Sequence, residues 1–320
     1  MLLYSPIDNP LIVSGSGPGL EEALPLIRQR KPGMPVIAAS SSLLALNEGG
    51  VNADLVISTD GGSWALSLLY SCLRQSKPVQ GLAVSLCAAL PSQCGAFPLL
   101  ILNDGCLWQT LVLRELDIPS IIIGQRGTVS ASALELALEL SRGHVYLSGL
   151  DLSVKDIRTH ARPHGFDHIF YGSAYRCTPL YSQYYKRAKA AIDGKSLEIY
   201  ASWFRDRLKR WPKRIFTLDT QNAVFDTAPA LSSDDFAGLA LDNGGPVTDF
   251  LKILELDGNP EQFAARSVNV LCRALEDSPY SQALCTELSE LLFPGRKTIM
   301  AGDIKKELEC LALQYGVKNG

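Results

Sequence analysis

The chain has 320 residues, of which 47% are hydrophobic and 20% charged, with a formal net charge of -3. This composition excludes a disordered chain, and the charge gives no general pull toward nucleic acid or an anionic membrane. Length alone predicts one large domain, or a core with an appendage.

The N-terminus, "MLLYSPIDNP", has no basic leader and carries Pro6, Asp8 and Pro10, so no signal peptide is read there. The first apolar run, Leu11–Ser14, leads into "GSGPGLEEALPLI", a glycine loop followed by a helical pattern over Gly19–Gln29. Further buried strands are expected at Pro35–Ala38, Asp54–Ser58, Leu82–Leu86, Leu99–Leu102, Ser120–Ile123, His144–Leu147 and Arg214–Leu218. Amphipathic segments at Ser63–Arg74, Leu107–Leu116 and Ser130–Ser141 fall between them. This alternation predicts an α/β fold: a Rossmann-like, mainly parallel sheet flanked by helices. The most apolar stretch, "GLAVSLCAALPSQCGAFPLLIL", is broken by Pro91, Gln93, Gly95 and Pro98. A membrane helix needs about 20 uninterrupted apolar residues, so no span is expected.

From Leu152 to Thr178 the periodicity fails, as in a functional loop or lid. "PLYSQYYKRAKAAIDGKSLEIYASWFRDRLKRW" then reads as helix with a basic face. The expected domains are a Rossmann-like domain over 1–225, which the resemblance described below makes the nucleotide-sugar-binding catalytic domain, a linker over 226–246, and a small helical C-terminal domain over 247–320. Eight cysteines without a Cys-x-x-Cys pair suggest reduced thiols, a cytoplasmic protein and no zinc ribbon.

At Gly15-Ser16-Gly17-Pro18-Gly19, glycines allow a sharp turn and let a phosphate approach backbone N–H groups. Pro18 is preset for the first helical turn. Glu21 and Glu22 already satisfy the helix dipole, and a tight turn without a ligand explains the loop equally well. It is neither a P-loop nor a strict Gly-x-Gly-x-x-Gly.

Three further positions lie at the carboxyl ends of expected strands, where open parallel sheets bind ligands. Asp60 accepts from a ribose or base, holds a metal, or caps the helix from Ser63. Arg126, Gly127 and Thr128 precede a helix; Arg126 suits a phosphate or carboxylate, and Thr128 a cap or a ligand. Asp151 ends the last clear core strand, where a carboxylate is functional or forms a buried turn.

"RTHARPHGFDH" holds His160, His164 and His168, but Pro163 and Gly165 break the helix that would make them a metal face. No metal site is expected there. His160 is the preferred general base, flanked by Arg158 and Arg162, whose charges could neutralise an anionic substrate. His164 and His168 read as incidental loop residues. Tyr171, Tyr175, Tyr181, Tyr184 and Tyr185 read mainly as packing residues, and Lys186, Arg187 and Lys189 as a solvated helix face.

The ordered set "VSGSGPGLEEALPLI", "VNADLVISTDGG", "GTVSASALELALELSRGHVYLSGLDL" and "RTHA" resembles the motility-associated factor (Maf) family of flagellin glycosyltransferases. The same core is similar to archaeal 6-hydroxymethylpterin diphosphokinases and, more distantly, to bacterial sialyltransferases. The resemblance covers roughly residues 9 to 222. It implies transfer of a nonulosonic (sialic-acid-like) sugar from a CMP-activated donor to Ser or Thr hydroxyls of flagellin or another acceptor protein. It also implies that Gly15, Gly17 and Pro18 border the nucleotide phosphate, and that Asp60, Thr128, Asp151 and His160 occupy motif positions. Departures are Gly19 for the usual serine and Ala53-Asp54 where Pro-Asp is expected. No cofactor is required by this chemistry, and Asp60 and Asp151 could share one Mg²⁺ only if their strands are adjacent. The alternatives are a Mg²⁺-dependent diphosphokinase acting on a pterin alcohol, and a non-catalytic nucleotide-binding scaffold.

Overall fold

The computed structural model describes residues 2–70, 79–124, 126–211, 213–218, 229–231, 233–238, 251–253, 259–277, 279–296 and 299–314. The first elements are β1 (Leu2–Tyr4), β2 (Leu11–Ser14), α1 (Leu20–Arg28), β3 (Val36–Ala39), α2 (Leu43–Glu48), β4 (Leu55–Ser58), α3 (Ser63–Leu69) and β5 (Gly81–Ser85). They are followed by β6 (Leu99–Asn103), α4 (Leu107–Glu115), β7 (Ile121–Ile122), α5 (Val129–Leu140) and β8 (Val145–Ser148). Next come α6 (Asp167–Ser173), α7 (Leu180–Asp193), α8 (Ser196–Arg210), β9 (Ile215–Thr217), α9 (Ser233–Gly238) and β10 (Leu251–Ile253). The chain closes on α10 (Pro260–Asp277), α11 (Ser281–Leu292) and α12 (Ala301–Gln314).

The chain divides into two compact units, a larger one of residues 2–100 and 125–253 and a smaller one of residues 1, 101–124 and 254–320. In the larger unit the strands lie in the order β5-β4-β3-β2-β8-β9, each parallel to its neighbour. Every residue of β2, β3, β4 and β8 is buried, as expected of strands covered on both faces. The fold is therefore α/β, with a parallel sheet flanked by helices.

Two helices show why the segments between strands coil as they do. In α1 the buried residues Leu20, Ala23 and Ile27 fall on one face, with Glu21 and Glu22 at the positive end and Arg28 at the negative end. α5 is buried almost all round, from Ala131 to Leu140, and lies against β2, β3, β4 and β8. Its buried Glu135 is paired with the guanidinium groups of Arg126 and Arg207, which offsets the cost of placing a carboxylate there.

The smaller unit has its own core. Leu111, Val112 and Leu116, on or just after α4, pack with Val270, Leu271 and Leu275 of α10, Leu284 and Leu288 of α11, and Ile304 and Leu308 of α12. The Glu287 carboxylate receives the N–H groups of Leu107 and Trp108, capping α4 from α11. The C-terminal helices thus take residues 101–124 as a partner, where the sequence suggested a contiguous domain over 247–320.

Residues 251–253 are a strand, not the expected helix: β10 pairs antiparallel with β1, Leu2 opposite Ile253. Of the expected linker over 226–246, α9 is described, and Phe236 packs edge-on to Tyr146 at 5.5 Å. Residues 226–228, 232 and 239–246 lie outside the described residues, as do 71–74 of the expected Ser63–Arg74 helix.

Candidate active site

β2 pairs with β3 on one side and β8 on the other. The chain winds from β2 through β5 in one direction and from β8 to β9 in the other, so the switch in winding falls between β2 and β8. The two loops leaving the carboxyl ends of those strands meet there, at the place where doubly wound sheets bind ligands.

These loops are stitched together by backbone hydrogen bonds. Gly15 N–H donates to Ser148 O (2.8 Å), and Gly17 N–H to Gly149 O (2.6 Å). Gly19 N–H donates to the Asp151 carboxylate at 2.6 Å. A Cβ on Gly17 would lie 2.8 Å from Gly149 O and 2.9 Å from Asp151 Cγ, so only glycine permits the approach. The three glycine amides expected to face a phosphate are thus occupied by protein oxygens. The negative ends of Glu21, Glu22 and Asp151 gather at the start of α1, which leaves little positive potential for an anion there.

Beside this seam is a cavity of about 260 Å³. Ser16 and Gly17 line it from one loop, and Gly149, Leu150, Leu152 and Ser153 from the other. Thr128 and Ser130 enter from the start of α5, Thr159 and His160 from the irregular segment, and Arg187, Ala191, Leu197 and Tyr200 from α7 and α8. The first turn of α5 carries no acidic residue, and the Thr128 hydroxyl makes no capping hydrogen bond. The α5 N-terminus therefore keeps the favourable dipole that α1 lacks. Arg187 adds a full charge. Its guanidinium rests over Phe166 at 5.2 Å and Phe170 at 5.6 Å, and has no ion pair among the described residues. Burial lowers its pKa, with Asp167 and Tyr184 acting in the opposite direction.

The histidine segment is tied down by the acids of α1. Arg158 places one guanidinium nitrogen 2.8 and 2.9 Å from the two Glu21 oxygens, and Arg162 N–H donates to Glu21 at 2.8 Å. Lys155 pairs with Glu22, and Ala161 N–H donates to Ser16 O at 2.7 Å. These contacts set His160 at the mouth of the seam. Its Nδ1 lies 2.8 Å from Thr159 Oγ1, leaving Nε2 for a substrate. Burial, then His164, then Arg187 push its pKa well below the ordinary value, with Asp167 opposing, so the ring is neutral at physiological pH.

His164 stacks on His160 with ring centres 4.4 Å apart. Burial, followed by the charge of Arg187, pushes its pKa down to about 3. Its backbone N–H donates to Asp167, whose other oxygen accepts from Tyr184 OH at 2.6 Å. His164 is thus a buried support for His160, where the sequence suggested an incidental loop residue. His168 is exposed.

Of the expected site residues, Ser16, Gly17, Thr128 and His160 line the cavity, while Gly15, Pro18 and Gly19 shape the loop behind it. Gly127 has φ +74°, and a Cβ there would lie 2.8 Å from the Tyr200 ring. The other charged candidates have protein partners. Asp151 caps Gly19 N–H, Arg126 holds Glu135, Arg158 holds Glu21, and Arg162 stacks over the Tyr184 ring at 4.1 Å. Asp60 is exposed and accepts the Gly62 N–H at 2.7 Å, forming a turn before α3. Its strand, β4, is separated from β8 by β3 and β2, so Asp60 and Asp151 do not meet at a shared metal. Among the described residues no cluster of three metal-ligating side chains occurs, and the cavity lining contains no carboxylate. The residues present do not fit a Mg²⁺ site there.

The sequence read Arg187 as part of a solvated helix face, whereas it lines the cavity and rests on Phe166 and Phe170; Tyr200 was not singled out. A signal for Arg187 existed: Tyr184, Arg187, Ala188 and Ala191 share one face of α7, and Tyr184 and Ala188 are buried.

Residues 2–156 match the family model of 6-hydroxymethylpterin diphosphokinase MptE-like proteins. A Treponema pallidum (strain Nichols) relative, described only as an uncharacterized protein, is 30% identical over 206 residues, covering 64% of this chain and 45% of its own length. The chain thus spans less than half of that relative. Among solved structures, the Maf glycosyltransferase from Magnetospirillum magneticum AMB-1 is 14% identical with a TM-score of 0.47, over 98% of this chain and 50% of the other. The Campylobacter jejuni sialyltransferase CstII, in complex with the substrate analogue CMP-3FNeuAc, is 13% identical with a TM-score of 0.36, over 77% of this chain and 96% of the other. The monofunctional α-2,3-sialyltransferase Cst-I from Campylobacter jejuni is 15% identical with a TM-score of 0.35, over 81% and 94%. These are the three groups that the ordered motifs resemble. Among the described residues no helix is long and apolar enough to cross a membrane.

Proposed function

We propose that the chain is a transferase that moves a nonulosonic-type sugar from a CMP-activated donor to a hydroxyl of an acceptor protein, with flagellin Ser or Thr as the first candidate. The observation that carries this reading is the convergence of Arg187, the start of α5 and His160 on one cavity at the switch point. The reading moves the anion site from the glycine loop to α5. The donor phosphate sits against Arg187 and the Thr128 hydroxyl, where charge-assisted hydrogen bonds are strong. The bond between the anomeric carbon and the phosphate oxygen breaks, and the electron pair leaves with CMP. The acceptor oxygen bonds to the anomeric carbon, and its proton passes to Nε2 of His160. A neutral imidazole is the form that can accept that proton. Burial and then His164 lower the His160 pKa most; a phosphate beside Arg187 would cancel part of the smaller lowering that Arg187 adds.

The diphosphokinase reading draws support from the matched family model. Against it stands the absence of a carboxylate to hold Mg²⁺ among the described residues that line the cavity. The test is calorimetric binding of CMP and of ATP–Mg²⁺ to the wild type and to His160→Ala, followed by transfer assays with a CMP-sugar. The expected result is CMP binding in both proteins and a transfer rate lower by about 10²–10⁴-fold in the variant. Retained turnover would remove His160 from the mechanism, and binding of ATP–Mg²⁺ but not CMP would favour the diphosphokinase.

A further inference from the structure

A second cavity, of about 380 Å³, adjoins the first and shares one residue with it, Arg187. Its other walls are Trp64, Phe166, Ile169 and Phe170. Trp64 stands in the first turn of α3 and is 57% exposed. A single exposed aromatic is ordinary, but one that forms the wall of a concave apolar cavity is placed to meet a ligand. Trp64 is not loose: its ring meets that of Phe166 edge-on, with centroids 5.7 Å apart and planes at 78°. Gly165 brings the residues before α6 close to α3: a Cβ there would lie 2.8 Å from Leu68 Cδ2 and 3.4 Å from Leu68 Cα.

The lining chemistry narrows the occupant. Among the described lining residues Arg187 carries the one charge, and it lies over Phe166 and Phe170; the one other polar group is the indole N–H of Trp64. A hydroxyl-rich sugar would lose its water without gaining partners. A flat π-system would gain an aromatic face on Trp64 and a guanidinium at its edge. Arg187 can therefore face a phosphate in one cavity while bordering a ring in the other.

Building on the transferase reading, we infer that the Trp64–Phe166–Phe170 cleft binds a planar aromatic ring of the substrate, with Arg187 bridging that ring and the phosphate. Two sources share this chemistry, the nucleobase of the donor and an aromatic ring of the acceptor.

Calorimetric titrations of the full chain separate them. The wild type, Trp64→Ala and Trp64→Phe are titrated with CMP, with ribose 5-phosphate, and with a serine peptide carrying a neighbouring tyrosine as a ring-bearing acceptor. Stacking on one aromatic side chain changes affinity by roughly ten- to a hundred-fold. If the ring is the nucleobase, Trp64→Ala weakens CMP by that factor, leaves ribose 5-phosphate unchanged, and is rescued by Trp64→Phe. If the ring belongs to the acceptor, binding of the peptide weakens by that factor while that of CMP does not. Equal affinities of wild type and Trp64→Ala for all three probes overturn the inference and leave the transferase reading standing. A wild type that binds none of the three overturns both.

Discussion

Asp151 is the residue at which the structure and the motif resemblance assign different duties, and Asp151→Asn separates them. The carboxylate is 6% exposed and receives Gly19 N–H at 2.6 Å, at the start of α1. Asparagine keeps an acceptor oxygen of the same reach and removes the charge. A hydrogen bond to a charged acceptor contributes about 1.5–3 kcal/mol and a neutral one about 0.5–1.5. The anion's interaction with the helix dipole adds about 0.3–1 kcal/mol. The variant should therefore lose about 1–2 kcal/mol of stability in urea unfolding, while its CMP affinity and transfer rate stay within about threefold of wild type. Asp151→Ala, which strands the Gly19 N–H, should lose about 1–3 kcal/mol more. A general acid or base at this position would instead cost about 10²–10⁴-fold in turnover. A collapse of that size in Asp151→Asn, with stability unchanged, would refute the capping role and return the carboxylate to the chemistry.

The remaining predictions concern Arg187 and the buried imidazoles. Arg187→Ala should weaken CMP by about ten- to a hundred-fold in calorimetry, from the loss of one charge-assisted contact, whereas Lys186→Ala on the exposed face of α7 should change it less than about twofold. Stability should fall with acid. His164 has a folded pKa of about 3 against an ordinary 6.5, so its contribution is complete above pH 6.5 and disappears as the unfolded chain takes up the proton below it. At pH 5 this amounts to about 2 kcal/mol, from 1.36 kcal/mol per pH unit. His160 acts in the same direction. His164→Asn should shrink the loss between pH 7.5 and 5 by about that amount in urea unfolding, and an undiminished loss would show that the ring is not held neutral.

The parallel sheet was legible because its strands are short apolar runs separated by turn residues and amphipathic segments. β2, β4 and β8 start within one residue of their expected positions. β1 and β10 were not, since each is only three residues long and they pair across nearly the whole sequence. A three-residue strand carries too little periodicity to stand out, and pairing at long range leaves no local trace. α4 also read correctly as a helix, but its partners did not. Nothing in "LWQTLVLREL" says that Leu111 and Val112 pack with Val270 and Leu284.

The site was half legible, for a reason that lies in how charge is used. Every charged residue that stood out beside a glycine loop or a strand end turned out to have a protein partner: Asp151 with Gly19, Arg126 with Glu135, Arg158 with Glu21. A strand end gathers loops, and loops that meet need charges to hold them, so position alone does not distinguish a ligand contact from a brace. The acids Glu21 and Glu22, which argued against an anion at α1, are what fix the segment bearing His160. Arg187 shows the converse. It sits in a basic run that resembles an ordinary wet helix face, yet its helical phase with Tyr184 and Ala188 turns it inward, onto Phe166 and Phe170. A cation on the buried stripe of an amphipathic helix, with no acid three or four residues away, has no local way to be neutralised. In this chain that pattern, more than the glycines, is what leads us to propose Arg187 as the group that meets the donor phosphate.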